Sequence, residues 1–104
     1  MAVRHVEWTM MSPSTTLSPA LEIVVTPLAD GEGVLLDVAS ARYIRLNKTA
    51  LVIWTAIENG ESIDAINQAL TERFDVTEQQ ANDTMQTFIT QLITENLVTV
   101  KTAG

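Results

Sequence analysis

The spacing of apolar residues changes once along this chain, and the change divides it. Between residues 20 and 46 the apolar positions come in short runs rich in β-branched side chains. Ile23, Val24 and Val25 fall in 21–26, Val34, Leu35 and Leu36 in 34–38, and Tyr43, Ile44 and Leu46 in 42–46. Runs of this length between turn residues predict strands. Pro27 closes the first, Asp30, Gly31 and Gly33 supply turn chemistry before the second, and 39–41 make a short loop before the third. An antiparallel meander of three strands follows. From Asn47 the period lengthens to that of a helix. Asn47 is a good N-cap, and Ala50, Leu51, Ile53, Trp54 and Ile57 recur at helical spacing until Asn59-Gly60 stops them. Ser62 caps a second helix with Ile63, Ile66, Ala69, Leu70 and Phe74 on its buried face. Thr77 and Gln80 form a capping box, with Val76 and Ala81 placed as a hydrophobic staple, and a third helix runs to about Asn96. Residues 97–100 predict a short terminal strand.

The expected fold class is therefore α+β, a three-stranded antiparallel sheet followed by three helices, winged helix-turn-helix-like. Residues 1–19 are rich in Ser, Thr, Met and Pro, show no sustained period, and read as a flexible N-terminal arm, with Trp8 a candidate for docking. Residues 20–100 form the expected domain and 101–104 a tail.

Composition narrows the chemistry. A chain of 104 residues with 46% hydrophobic and 18% charged residues suits one small core. The net charge of −7 opposes nucleic acid as a partner, because that binding rests on Lys and Arg at phosphates. No cysteine is present, which removes disulfides, thiolate metal sites and cysteine nucleophiles. The N-terminal residues lack the continuous apolar core of a signal peptide, and no apolar run is long enough for a bilayer, so a cytoplasmic protein without membrane contact is expected. His5, the single histidine, sits in the arm, and Asp30 with Glu32 lies on a turn. No catalytic residue, metal site or cofactor is expected from these positions.

The third helix and third strand carry what remains. Between 77 and 96 the helix holds Glu78, Asp83 and Glu95 and neither Lys nor Arg, so it makes a poor reader of DNA. A winged-helix DNA-binding regulator is the alternative from another class. Ala81, Met85, Phe88, Ile89, Leu92 and Ile93 cover one arc of the helix. Beside it runs a polar, uncharged stripe of Thr77, Gln80, Thr84, Thr87, Gln91 and Thr94, either a solvated flank or one wall of a peptide groove. Alternation along the third strand turns Ile44 and Leu46 toward the core and Tyr43 and Arg45 away from it. Arg42, Arg45 and Lys48 mark this strand as a basic edge, which either protects itself from aggregation, pairs with nearby carboxylates, or accepts another chain.

Several of these residues keep a familiar order: Leu35-Leu36-Asp37, Arg42-Tyr43, Leu46-Asn47, Ile53-Trp54, Gly60, Ile66, Leu70, Phe74 and Asn96-Leu97-Val98. Over about residues 20–100 the chain resembles the PqqD-like family, the peptide-recognition elements of ribosomally made, modified peptides, and within it the discrete recognition proteins of lasso-peptide pathways. The resemblance implies a non-catalytic protein that binds the precursor's leader peptide as an added strand beside the third strand, against the third helix. It implies presentation of the precursor to a leader peptidase or other modifying enzyme, or, in the runner-up reading, service to a radical enzyme as in quinone-cofactor maturation. On this chain the strand wall would be Arg42, Tyr43, Ile44, Arg45 and Leu46. The helical wall would be Asp83, Thr84, Thr87, Phe88 and Gln91, with Leu92 deeper.

Overall fold

In the computed structural model the described residues are 15–20 and 22–101. Along them run strands β1 (Thr16–Pro19), β2 (Ile23–Pro27), β3 (Gly33–Asp37) and β4 (Arg42–Leu46). Helices α1 (Lys48–Glu58), α2 (Ile63–Arg73) and α3 (Glu78–Thr94) follow, and β5 (Val98–Lys101) ends the series. A 3-10 turn at Ala29–Gly31 links β2 to β3. The expected meander is present: β2, β3 and β4 pair antiparallel in that order, with Leu35 opposite Ile44 and Leu36 opposite Tyr43. The expected third strand is β4, and the arrangement is the anticipated α+β fold.

One expectation is corrected. The arm was expected to reach residue 19, but Thr16–Pro19 form β1, which pairs antiparallel with β5 in a second, two-stranded sheet. The reason is burial: Leu17 is 1% exposed, Thr15 is fully buried, and the Ile63 N–H donates to the Thr15 carbonyl at 2.9 Å. Lys101 belongs to β5 rather than to a tail. Residues 1–14, with Trp8 and His5, Leu21 at the start of the expected first strand, and residues 102–104 lie outside the described residues.

Local chemistry explains the helix limits. Asn47 Oδ1 accepts from the Ala50 N–H at 2.8 Å, and Ser62 Oγ accepts from the Ala65 N–H at 3.2 Å. Thr77 and Gln80 make both bonds of the capping box. Gly60 (φ +75) and Asn96 (φ +61) end α1 and α3 in the left-handed region. In each case the next N–H reaches back to the carbonyl five residues earlier, Glu61 to Ala56 at 3.0 Å and Leu97 to Leu92 at 2.9 Å. This is the arrangement that satisfies the last carbonyls of a helix.

The core lies between the three helices and both sheets. Ile53, Trp54 and Ile57 of α1 meet Ile66 and Leu70 of α2 and Met85, Ile89 and Leu92 of α3, while Leu35, Leu46, Leu17 and Leu97 come from the strands and the α3–β5 junction. Each such side chain contributes roughly 1.5–3 kcal/mol on burial. The helices therefore fix where the outer rim of β4 stands relative to α3.

Candidate peptide-binding site

β4 is the last strand of its sheet, and its outer edge has no strand partner among the described residues. In an antiparallel strand alternate backbone groups point to each side, so half of the N–H and C=O groups of β4 face away from β3. The side chains obey the predicted alternation. Leu46 is fully buried and Ile44 packs on the core, whereas Tyr43 is 73% exposed and Arg45 points to solvent.

Beside this end of the sheet α1 and α3 leave a cleft of about 380 Å³, lined by Asn47, Ala50, Ile53, Asp83, Thr84, Thr87, Phe88 and Gln91. Asp83, Thr84, Thr87, Phe88 and Gln91 are the helical wall expected from the sequence. Their spacing of three and four brings them onto one stripe. Thr87 Oγ1 donates to the Asp83 carbonyl at 3.0 Å, which turns its methyl and oxygen along the helix surface. Asp83 Oδ1 accepts from Gln79 Nε2 at 2.9 Å. The floor is apolar, with Phe88 packed against the core and Ala50 and Ile53 from α1. Leu92 and Leu46 are buried in the core, and neither borders the cleft.

The other three lining residues, Asn47, Ala50 and Ile53, were read only as a cap and two core positions. Their spacing of three already places them on one face of α1. What the sequence does not reveal is that this face is only partly covered by α3.

A network of charged groups connects the start of β4 to the end of α3. Arg42 NH1 donates to Glu95 Oε1 at 2.8 Å, and Gln91 Nε2 donates to Glu95 Oε2 at 3.3 Å. Arg42 also reaches Ser40 Oγ at 3.1 Å and stands 3.8 Å from Asp37 Oδ2. Arg45 pairs with Glu32 through Nε and NH2, at 3.2 and 2.9 Å. Both arginines of the strand thus have carboxylate partners within the chain, and Lys48 faces a different cleft. The chemistry assembled here is hydrogen bonding by amides, hydroxyls and an open strand edge over an apolar floor. Among the described residues no cluster of His, Asp or Glu could hold a metal ion.

Comparison with known proteins decides the family. Residues 32–98 match the family described as coenzyme PQQ synthesis protein D (PqqD). The chain belongs to the PqqD family. The matched span runs from the turn before β3 through α3 to the start of β5, and so includes both walls of the cleft.

Two solved structures share this PqqD fold. One, described as lasso peptide synthetase B1 complexed with the leader peptide, is 29% identical, with a TM-score of 0.71 over 80% of this chain and 96% of that one. The other, TbiB1 in complex with the TbiA(beta) leader peptide, is 22% identical, with a TM-score of 0.71 over 78% of this chain and 93% of that one. No curated protein matches the chain.

Proposed function

We propose that this PqqD-family protein is a non-catalytic binder of a precursor's leader peptide in lasso-peptide biosynthesis. The leader adds as a strand to the outer edge of β4 and places side chains in the cleft between α1 and α3. The observation that carries the reading is the pairing of an open β4 edge with a cleft whose helical wall is Asp83, Thr84, Thr87, Phe88 and Gln91. The likeness to a lasso peptide synthetase B1 that is complexed with its leader peptide supports the same reading. Backbone pairing gives affinity with little demand on sequence, while the cleft selects particular side chains. A disordered leader loses entropy on binding, so a few anchors in the cleft dominate the affinity. The bound precursor is then presented to a separate enzyme, such as a leader peptidase, that acts on it.

Fluorescence polarisation with a labelled leader from a lasso precursor tests this. Thr84→Trp, at an exposed position of α3, fills the cleft and lowers affinity about tenfold or more, and Phe88→Ala removes an apolar anchor surface with a similar loss. Ile44→Asp weakens binding strongly in protein whose circular dichroism remains native. N-methylation of alternate leader backbone amides abolishes binding in one register and spares it in the other. Full affinity in both Thr84→Trp and Phe88→Ala places the peptide elsewhere, and tolerance of N-methyl groups in both registers rules out strand addition.

A further inference from the structure

Helix α1 has a second cleft on its other side. This one is larger, about 620 Å³, and lies between α1, α2 and the 3-10 turn. Leu51, Val52 and Phe74 give it apolar walls, all partly exposed and packed on the core beneath. Lys48 and Arg73 also line it, and neither has a carboxylate partner among the described residues, in contrast to Arg42 and Arg45. In a chain of net charge −7, leaving these two cations unpaired on one cleft runs against the overall charge balance.

Lys48 is the sharper anomaly. It occupies the first position of α1, where the helix dipole disfavours a cation, and no acid offsets it in the first turn. Its stem runs beside the Gly31 backbone, where an added Cβ would stand 3.4 Å from Lys48 Cγ. Arg73, in the last turn of α2, suits its own helix and adds to the same positive end. Lys48 opens α1 and Arg73 closes α2, both away from the short connection between the helices that carries Glu61. The cleft is therefore polarised, with cations at one end and Glu61 at the other.

We propose that this α1–α2 cleft docks a segment of a partner protein that carries an apolar anchor beside carboxylates. Carboxylates meet Lys48 and Arg73, and the anchor fills the space against Leu51, Val52 and Phe74. A polypeptide fits better than a fatty acid, because Thr55 and Asn59 also line the cleft and an alkyl chain would leave them facing hydrocarbon. The site shares no lining residue with the α1–α3 cleft. Filling one therefore leaves the lining of the other free, so that the protein has room to hold one peptide while a second protein holds it.

The test is an amide NMR titration of the full chain with an acetylated, amidated probe peptide, Glu-Glu-Leu-Trp-Ser-Lys, against its Gln-Gln counterpart. The acidic peptide shifts the amides of Leu51, Thr55 and Arg73 and leaves Thr84 and Thr87 in place. Its affinity falls about fivefold in the Gln-Gln peptide and again in Lys48→Glu. Lys48→Glu replaces an unfavourable charge at a helix start with a favourable one, so lost binding is not lost folding. Arg73→Gln gives a second, independent loss. Equal affinity for both peptides, indifference to Lys48→Glu, shifts confined to α3, or displacement of the peptide by decanoate each overturns the proposal. The titration uses free protein, so it reads this site even where leader binding fails; repeated with leader bound, it gives the same affinity.

Discussion

Three basic residues close together in sequence, Arg42, Arg45 and Lys48, take three different roles once side chains are placed. Arg42 bridges β4 to Glu95 at the end of α3, Arg45 pairs with Glu32 on the turn between β2 and β3, and Lys48 turns to the α1–α2 cleft. The Arg42 and Glu95 side chains keep 48% and 28% of their exposure, so water screens the pair and it is worth no more than about 1 kcal/mol. Arg42→Ala is therefore expected to lower unfolding free energy in urea by less than about 1 kcal/mol. Leader affinity changes by less than about threefold, since the strand offers its backbone rather than its guanidinium groups. A loss of tenfold or more at moderate salt would instead make Arg42 a direct ligand of the peptide. Sequence alone named the cluster but not its division, because the partners Glu32 and Glu95 lie 13 and 53 residues away.

At the scale of elements, α1 is the shared wall. Asn47, Ala50 and Ile53 border the α3 side, while Lys48, Leu51, Val52 and Thr55 border the α2 side. Both sets repeat at helical spacing, so an apolar pattern that reads as a single buried stripe in fact covers a core and the floors of two clefts. The ends of α1 were legible because they are local: an Asn accepts from the N–H three residues on, and a Gly takes positive φ just past the end. The clefts were not, because they depend on how far α2 and α3 stand from α1. Asn47 separates these contributions. Asn47→Ala loses the cap and is expected to cost about 1 kcal/mol in chemical denaturation, whereas Asn47→Asp keeps the accepting oxygen and stays within a few tenths. If the Asn47 amide donates to the bound leader, the Asp variant still binds more weakly despite its intact cap. Stability unchanged in Asn47→Ala would show that α1 is held by packing alone.

Across the whole molecule the sequence pattern carried the α+β order, the β2–β3–β4 meander and the three helices, each set by a period or a turn within a few residues. The terminal strand expected at 97–100 is β5, but its pairing with β1 in a second sheet was not legible. The strands of that sheet are four residues each, lie 79 or more residues apart in sequence from Pro19 to Val98, and one falls in a stretch whose Ser, Thr and Pro content reads as an arm. Only the tertiary contact of β1 with β5 and α1 gives those residues a place, and no local signal reports it. Leu17 bears this contact. It is 1% exposed within the same core as Trp54 and Leu97. Leu17→Ala removes buried methyl groups and leaves a cavity, at an expected cost of about 3 kcal/mol. Urea denaturation followed by Trp fluorescence reads this as a lower midpoint with an unchanged slope. Leader affinity of the folded fraction stays at the level of the unmodified protein, because β1 lines neither wall of the α1–α3 cleft. An unfolding free energy lowered by less than about 0.5 kcal/mol would mean that β1 is dispensable to the fold, as an arm would be. A lost leader affinity at full stability would mean that the second sheet, and not β4, carries the peptide.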